Sequence, residues 1–205
     1  MSQFDASARE WDNNPVHWER SEAIALLMKE MIPFRAGMKA MEFGAGTGIL
    51  SFLLQDKLSE VIMMDSSGEM VKVMQEKVEK TSLHHLKPLF FDLEAEDYSG
   101  DYFDLIFTQM AMHHVGDIDG VLSRFYQLLN PGGWLAIADL YQEDGTFHSE
   151  GFTGHKGFDP EKLEGMLSAA GFSRIGTRYC YTVKKMIGEN LREFPVFLLI
   201  GQKGQ

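Results

Sequence analysis

A glycine-rich turn, two strand-end acids and a pair of histidines are the residues of this chain whose types and spacing could do chemistry. Gly44, Gly46 and Gly48 take alternate positions in Glu42-Phe43-Gly44-Ala45-Gly46-Thr47-Gly48, between an apolar run and Ile49-Leu50-Ser51-Phe52-Leu53-Leu54. Glycine lacks a Cβ, so its backbone can take φ > 0 and lie directly against a ligand. A helix opening straight after such a turn aims its free N–H groups at the same place. Asp65 ends Val61-Ile62-Met63-Met64, close to the roughly 20-residue offset at which a second strand presents an acid to ribose hydroxyls. Asp92 ends a third apolar run, Leu86 to Phe91. His113 and His114 follow a fourth, Phe103 to Met110, and histidine is the side chain whose ordinary pKa suits proton transfer near neutrality.

The turn is not a dinucleotide fingerprint. Counting from Gly44, the third glycine position of Gly-x-Gly-x-x-Gly falls on Ile49, too bulky for close helix-strand packing. Glu42 just before the turn opposes a pyrophosphate and suits a ligand with positive groups, such as the sulfonium and ammonium of S-adenosylmethionine. Residues 42–48 resemble the first motif of the class I S-adenosylmethionine-dependent methyltransferases, and Leu128-Leu129-Asn130-Pro131-Gly132-Gly133-Trp134-Leu135 resembles a later one. Within the class the likeness is to the UbiE-like small-molecule group. It covers about residues 40–140 through motifs.

That resemblance implies an α/β fold, a doubly wound, seven-stranded Rossmann-like sheet whose last strand is antiparallel. It implies S-adenosylmethionine as cofactor, held by Glu42, Phe43, Gly44, Ala45, Gly46, Thr47, Gly48, Asp65, Ser66, Met70, Asp92, Leu93, Gln109 and Met110. In it Glu42 balances the cofactor's positive end and Asp65 holds the ribose. Asp92 with Leu93 reads the adenine, unless Asp92 only caps a turn. Gln109 and Met110 lie under the methionine part. For the histidines two readings stand: a base that takes a proton from the acceptor, or a pair that orients the loop. Adjacent side chains diverge on extended or turning backbone, so one of the two is expected at the methyl group, His113 first, with His148 or His155 behind it. No metal site is expected.

The elements that position these residues can be laid out from periodicity. Residues 1–36 form a helical cap, with Ile24 to Ile32 at helical spacing and Phe4 to Asp12 either a cover over the cofactor or plain surface. Residues 37–205 form the α/β core of one domain. Strands are expected at the four apolar runs, at Trp134 to Leu140, at Ile175 to Val183 and at Phe194 to Ile200. Helices are expected over residues 66–80 with Ser66 or Ser67 as N-cap, over 117–129 and from Pro160 to Gly171. Asn130-Pro131-Gly132-Gly133 is a turn by composition. Residues 141–158, rich in glycine, phenylalanine and histidine, cross the ligand-binding sheet edge as a long loop.

Composition limits the partners. A net charge of −11 and a pI near 5.0 over 205 residues leave out the basic stripe that nucleic-acid binding requires. The single cysteine, Cys180, excludes an internal disulfide or a cysteine metal cluster and suits a reducing compartment. It also speaks against arsenite methyltransferases. No apolar run approaches a membrane span, and Met1 to Asp5 carries neither the basic nor the apolar region of a signal peptide. A cytoplasmic enzyme is expected, acting on a small-molecule acceptor, with no nucleic acid or membrane partner and its oligomeric state left open. After the fourth strand there is no Asn/Asp-Pro-Pro-aromatic motif, so amide and adenine nitrogens are not the expected acceptors. The alternative is a cofactor-binding regulator or scaffold that transfers nothing.

Overall fold

The structure, a computed structural model, describes residues 3–205. In chain order it runs α1 (Gln3–Ser7), a 3₁₀ segment (Ala8–Asn13), α2 (Pro15–Met31), β1 (Lys39–Phe43), α3 (Ile49–Leu54), β2 (Glu60–Asp65), α4 (Gly68–Thr81) and β3 (Leu86–Phe90). It continues with β4 (Phe103–Gln109), a 3₁₀ turn (Met112–His114), α5 (Ile118–Leu128), β5 (Leu129–Leu140), α6 (Pro160–Ala169), β6 (Phe172–Ile187) and β7 (Asn190–Lys203). The strands form one seven-stranded sheet in the order β3-β2-β1-β4-β5-β7-β6. β1 to β5 pair in parallel and β7 runs antiparallel to both its neighbours.

Alternation along the strands explains why both faces are covered. Ala40, Val61, Met63, Leu105, Phe107, Trp134 and Ala136 pack on one side with Ile24 and Met28 of α2, Leu50 and Leu54 of α3 and Met74 of α4. Met41, Ile62, Met64, Ile106, Leu135 and Ile137 point the other way, onto Val121, Leu122 and Phe125 of α5 and Leu163 and Leu167 of α6. Successive side chains on a strand face opposite ways. A run apolar at every position therefore needs helices on both faces.

Local signals set the helix ends. Ser67 Oγ accepts from Met70 N at the start of α4, Asp117 accepts from Gly120 N ahead of α5, and Asp159 precedes Pro160 and accepts from Glu161 N. Each satisfies a donor that the first turn would otherwise leave unpaired.

Two expectations from sequence are corrected by the structure. Asn130 to Gly133 lie inside β5 rather than in a separate turn, although pairing with β4 slips there, from Phe103↔Leu129 to Leu105↔Trp134. Gly132, at φ +76°, absorbs the irregularity, and this is the backbone freedom that made the stretch look like a turn. The closing hairpin is also longer than expected. β6 and β7 continue past Val183 and before Phe194 through the cross-strand pair Lys184 and Glu193. Charged partners facing solvent carry no apolar alternation, so that part of the ladder has no hydropathy signature.

Candidate active site

Strand order reverses between β1 and β4, and ligands in open α/β sheets bind outside the carboxyl ends of the strands at such a point. A cavity of about 490 Å³ lies there, within the usual range for small-molecule sites. Its wall includes Phe43, Gly44, Ala45 and Gly46 at the end of β1, Asp65 and Ser66 at the end of β2, and Met70 at the start of α4. Asp92 and Leu93 after β3, and Gln109 and Met110 after β4, complete that side. These eleven are all among the cofactor residues expected from sequence. Glu42, Thr47 and Gly48 are not on the wall: Glu42 is buried in β1, and Thr47 and Gly48 form the far end of the turn.

Three glycines with positive φ, from +58° to +80°, shape the turn. Gly44 packs so tightly against the chain after β4 that an added Cβ would stand 2.5 Å from the Ala111 Cβ, whereas at Gly46 it would meet only Trp11 Nε1 at 4.0 Å. Gly44 thus serves the fold, and Gly46 leaves room on the cavity side. Asp65 fastens the turn: its Oδ2 accepts from Gly46 N at 2.7 Å and its Oδ1 from Ser67 N at 2.8 Å. Burial raises its carboxyl above the ordinary carboxylate range, with these two N–H groups opposing the shift.

Glu42 is fully buried, and its Oε2 accepts from the Ser51 N and Oγ at the start of α3. Oε1 has no partner among the described residues. Burial pushes this carboxyl up to about 8, against the two Ser51 hydrogen bonds. Asp92 caps a turn and also faces the cavity: its Oδ1 accepts from Glu94 N and Ala95 N.

The opposite wall carries the histidines. His113 is buried and its Nδ1 lies 2.6 Å from Asp139 Oδ1, while its backbone N–H donates to Asp139 Oδ2 at 3.2 Å. The carboxylate accepts, so Nδ1 carries the hydrogen and Nε2 is the nitrogen turned away from Asp139. His114 and His148 share the wall. The expected divergence of His113 and His114 does not occur: the 3₁₀ turn Met112–His114 brings their rings to 4.2 Å between centroids. The tight turn curls both side chains to the same side, where extended backbone would have splayed them. His155 lies elsewhere, its N–H donating to the His113 carbonyl.

Sequence reasoning missed Asp139 and Arg20. Asp139 stands at the carboxyl end of β5, one residue short of its last, much as Asp65 closes β2, and that position was the available signal. Arg20 lines the cavity from α2, nearly buried, with its Nε unpartnered among the described residues. Burial lowers it to about 10, and the nearby Asp139 pulls the other way. Its spacing to Ile24 and Met28, both fully buried, marks it as a cation on the inward stripe of a helix. The leading segment covers this edge. Phe4, Ser7 and Trp11 line the cavity, Asp12 accepts from Lys77 Nζ at 2.7 Å, and Ser67 Oγ donates to Asp5. Met1 and Ser2, the first residues of the expected helical cap, lie outside the described residues.

With this geometry in place, comparison with known proteins defines the class. The profile of the methyltransferase domain family matches residues 16–175, and the chain belongs to that family. S-adenosylmethionine is its cofactor. The chain is 29% identical over 155 residues to an uncharacterized methyltransferase of Schizosaccharomyces pombe, covering 68% of this chain and 55% of that one. It is 31% identical over 111 residues to a ubiquinone/menaquinone biosynthesis C-methyltransferase of a Shewanella species, covering 52% and 44% respectively. The chain thus spans about half the length of the curated relatives it matches. Among solved structures it superposes on a SAM-dependent methyltransferase from Aquifex aeolicus with a TM-score of 0.69 at 21% identity, covering 97% of each chain. That likeness concerns the fold.

Proposed function

We propose that this protein transfers a methyl group from S-adenosylmethionine to a small-molecule acceptor, with His113 acting on the acceptor. The observation that carries the reading is the pairing of two walls across one cavity: the glycine turn with Asp65 and Asp92 on one, and the Asp139-oriented imidazole of His113 on the other. The residues fit the cofactor. Gly46 leaves space, Asp65 and Asp92 offer acceptors to hydroxyls and an amine, and the unpartnered Arg20 Nε offers a donor to a carboxylate. When bound, S-adenosylmethionine supplies a methyl group on a positively charged sulfur.

The chain's own contribution is positioning and proton handling. Held reactants can gain roughly 7–11 kcal/mol from orientation alone. A hydroxyl or acidic-carbon acceptor needs a base as well, worth roughly 10²–10⁴-fold, and His113 Nε2 is free for that while Asp139 holds Nδ1. The acceptor is small in this reading because Phe4, Trp11, Phe147 and His148 crowd the cavity from both covering segments. The acidic balance favours a neutral or cationic molecule over a polyanion. The Shewanella relative is named a C-methyltransferase; here the receiving atom is part of the proposal to be tested.

The test is incubation with methyl-labelled S-adenosylmethionine and a metabolite panel, beside calorimetry of S-adenosylhomocysteine. Tight binding with label recovered in a small product is the expected result. Tight binding with no transfer to any acceptor would favour a cofactor-binding regulator.

A further inference from the structure

The acceptor side of the cavity gathers three imidazoles from two separate stretches of chain. One ring nitrogen from each of His113, His114 and His148 lies within 4.8 Å of the others. Each ring has a neighbour that orients it. Asp139 Oδ1 takes the Nδ1 hydrogen of His113 at 2.6 Å and leaves Nε2 free, and a carboxylate behind an imidazole both orients a metal ligand and makes it more basic. His148 stacks on Phe152 at 3.7 Å between centroids, and its buried Nε2 has no partner among the described residues. His114 stands edge-on to Phe4 at 5.0 Å and to Phe152 at 5.2 Å.

We propose that His113, His114 and His148 form a three-imidazole site for a divalent ion of the zinc, cobalt or nickel kind, set in the wall of the acceptor cavity. The donor set is all nitrogen, which suits those ions and not magnesium or calcium, whose ligands are oxygen. Zinc–nitrogen bonds of about 2.0–2.1 Å in a tetrahedron place the nitrogens about 3.3 Å apart. His148, on a loop rather than a strand end, is the ring that swings to close the set. Three protein ligands leave a further coordination position, and it opens to the cavity. A thiol or hydroxyl acceptor ligating there gives up its proton to solvent, with His113 Nε2 serving as ligand instead of base. That last step rests on the methyl-transfer reading; the ion site does not.

The test uses the untagged full chain, stripped with a chelator. Cobalt(II) is followed by visible absorption and zinc(II) by calorimetry, on the parent and on His148→Ala, His114→Ala and Asp139→Asn. Each variant is checked by thermal unfolding and by S-adenosylhomocysteine binding. One ion per chain with the intense bands of four-coordinate cobalt is expected. Removal of either histidine should weaken it at least ~10-fold, and Asp139→Asn about 10–100-fold. No stoichiometric ion, or an affinity that both histidine variants leave unchanged, overturns the site. Should a variant not fold, the parent decides: zinc must raise its unfolding temperature, since an ion bound only by the folded state stabilises it, and no rise overturns the site. Zinc binding without S-adenosylhomocysteine binding would keep the ion site and sink the methyl-transfer reading, and the reverse result would do the opposite.

Discussion

His113 and Asp139 stand 26 residues apart in the chain and meet at 2.6 Å because β4 and β5 are parallel neighbours with matched carboxyl ends. The His113→Ala change removes the proposed proton acceptor and leaves the glycine-turn wall alone. We expect kcat to fall well over tenfold, within the range for a positioned base, with S-adenosylhomocysteine affinity nearly intact; near-normal turnover would return His113 to a structural part. Asp65 is the converse case. Asp65→Ala should weaken S-adenosylhomocysteine by about 2 kcal/mol or more, the scale of lost hydrogen bonds to a charged group, read by calorimetry. Asp65 also ties Gly46 N and Ser67 N, so unchanged affinity would mean that neither the ribose contact nor the turn's shape depends on it. The acids at strand ends were legible in the sequence as residues. That Asp139 would face a histidine was not, because the register between β4 and β5 is a property of pairing and not of either strand.

At the scale of elements, two covering segments frame the cavity. One is α1 with the 3₁₀ segment behind it, pinned through Asp12 to Lys77 of α4. The other is the loop between β5 and α6, which brings Phe147, His148 and Ser149 to the wall and ties Lys185 Nζ to the Phe147 carbonyl at 2.6 Å. Hydrogen exchange should slow over residues 3–20 and 141–158 when S-adenosylhomocysteine binds. Exchange indifferent to ligand would make both segments ordinary surface. Phe4 and Trp11 could be named in the sequence as aromatic residues in a polar stretch. Their docking could not be read there, since α1 is five residues long and a helix that short is fixed by its contacts, not by its own propensity.

For the molecule as a whole, Glu42 links the core to pH. Its carboxyl is at about 8 in the folded chain and near 4.3 when exposed. Between those values the folded protein holds a proton that the unfolded chain gives up. Stability therefore falls as pH rises through that window and levels off above it. Glu42→Gln, which keeps the shape without the titration, should flatten the pH dependence of the denaturant midpoint between pH 5 and 8. Equal slopes in parent and variant would place the titration elsewhere. No helix among the described residues is long and apolar enough to cross a membrane.

Family likeness named eleven of the residues that line the cavity; the sequence by itself determined the strand-helix alternation, the sheet's doubly covered faces and the sheet edge where the cavity lies. Those features are carried by local signals: glycine where φ must be positive, acids at strand ends, apolar runs of strand length. The antiparallel closing pair came from family likeness, and the long charged ladder beyond it from the structure. Tertiary structure alone decided which side chains meet across the cavity. Arg20 became a buried cation, its Nε unpartnered among the described residues, because α2 turns that stripe inward. His148 reached His113 and His114 because a loop without periodicity folds back over the β4 edge. Contacts between residues distant in the chain depend on the packing of whole elements, and residue types carry no record of them.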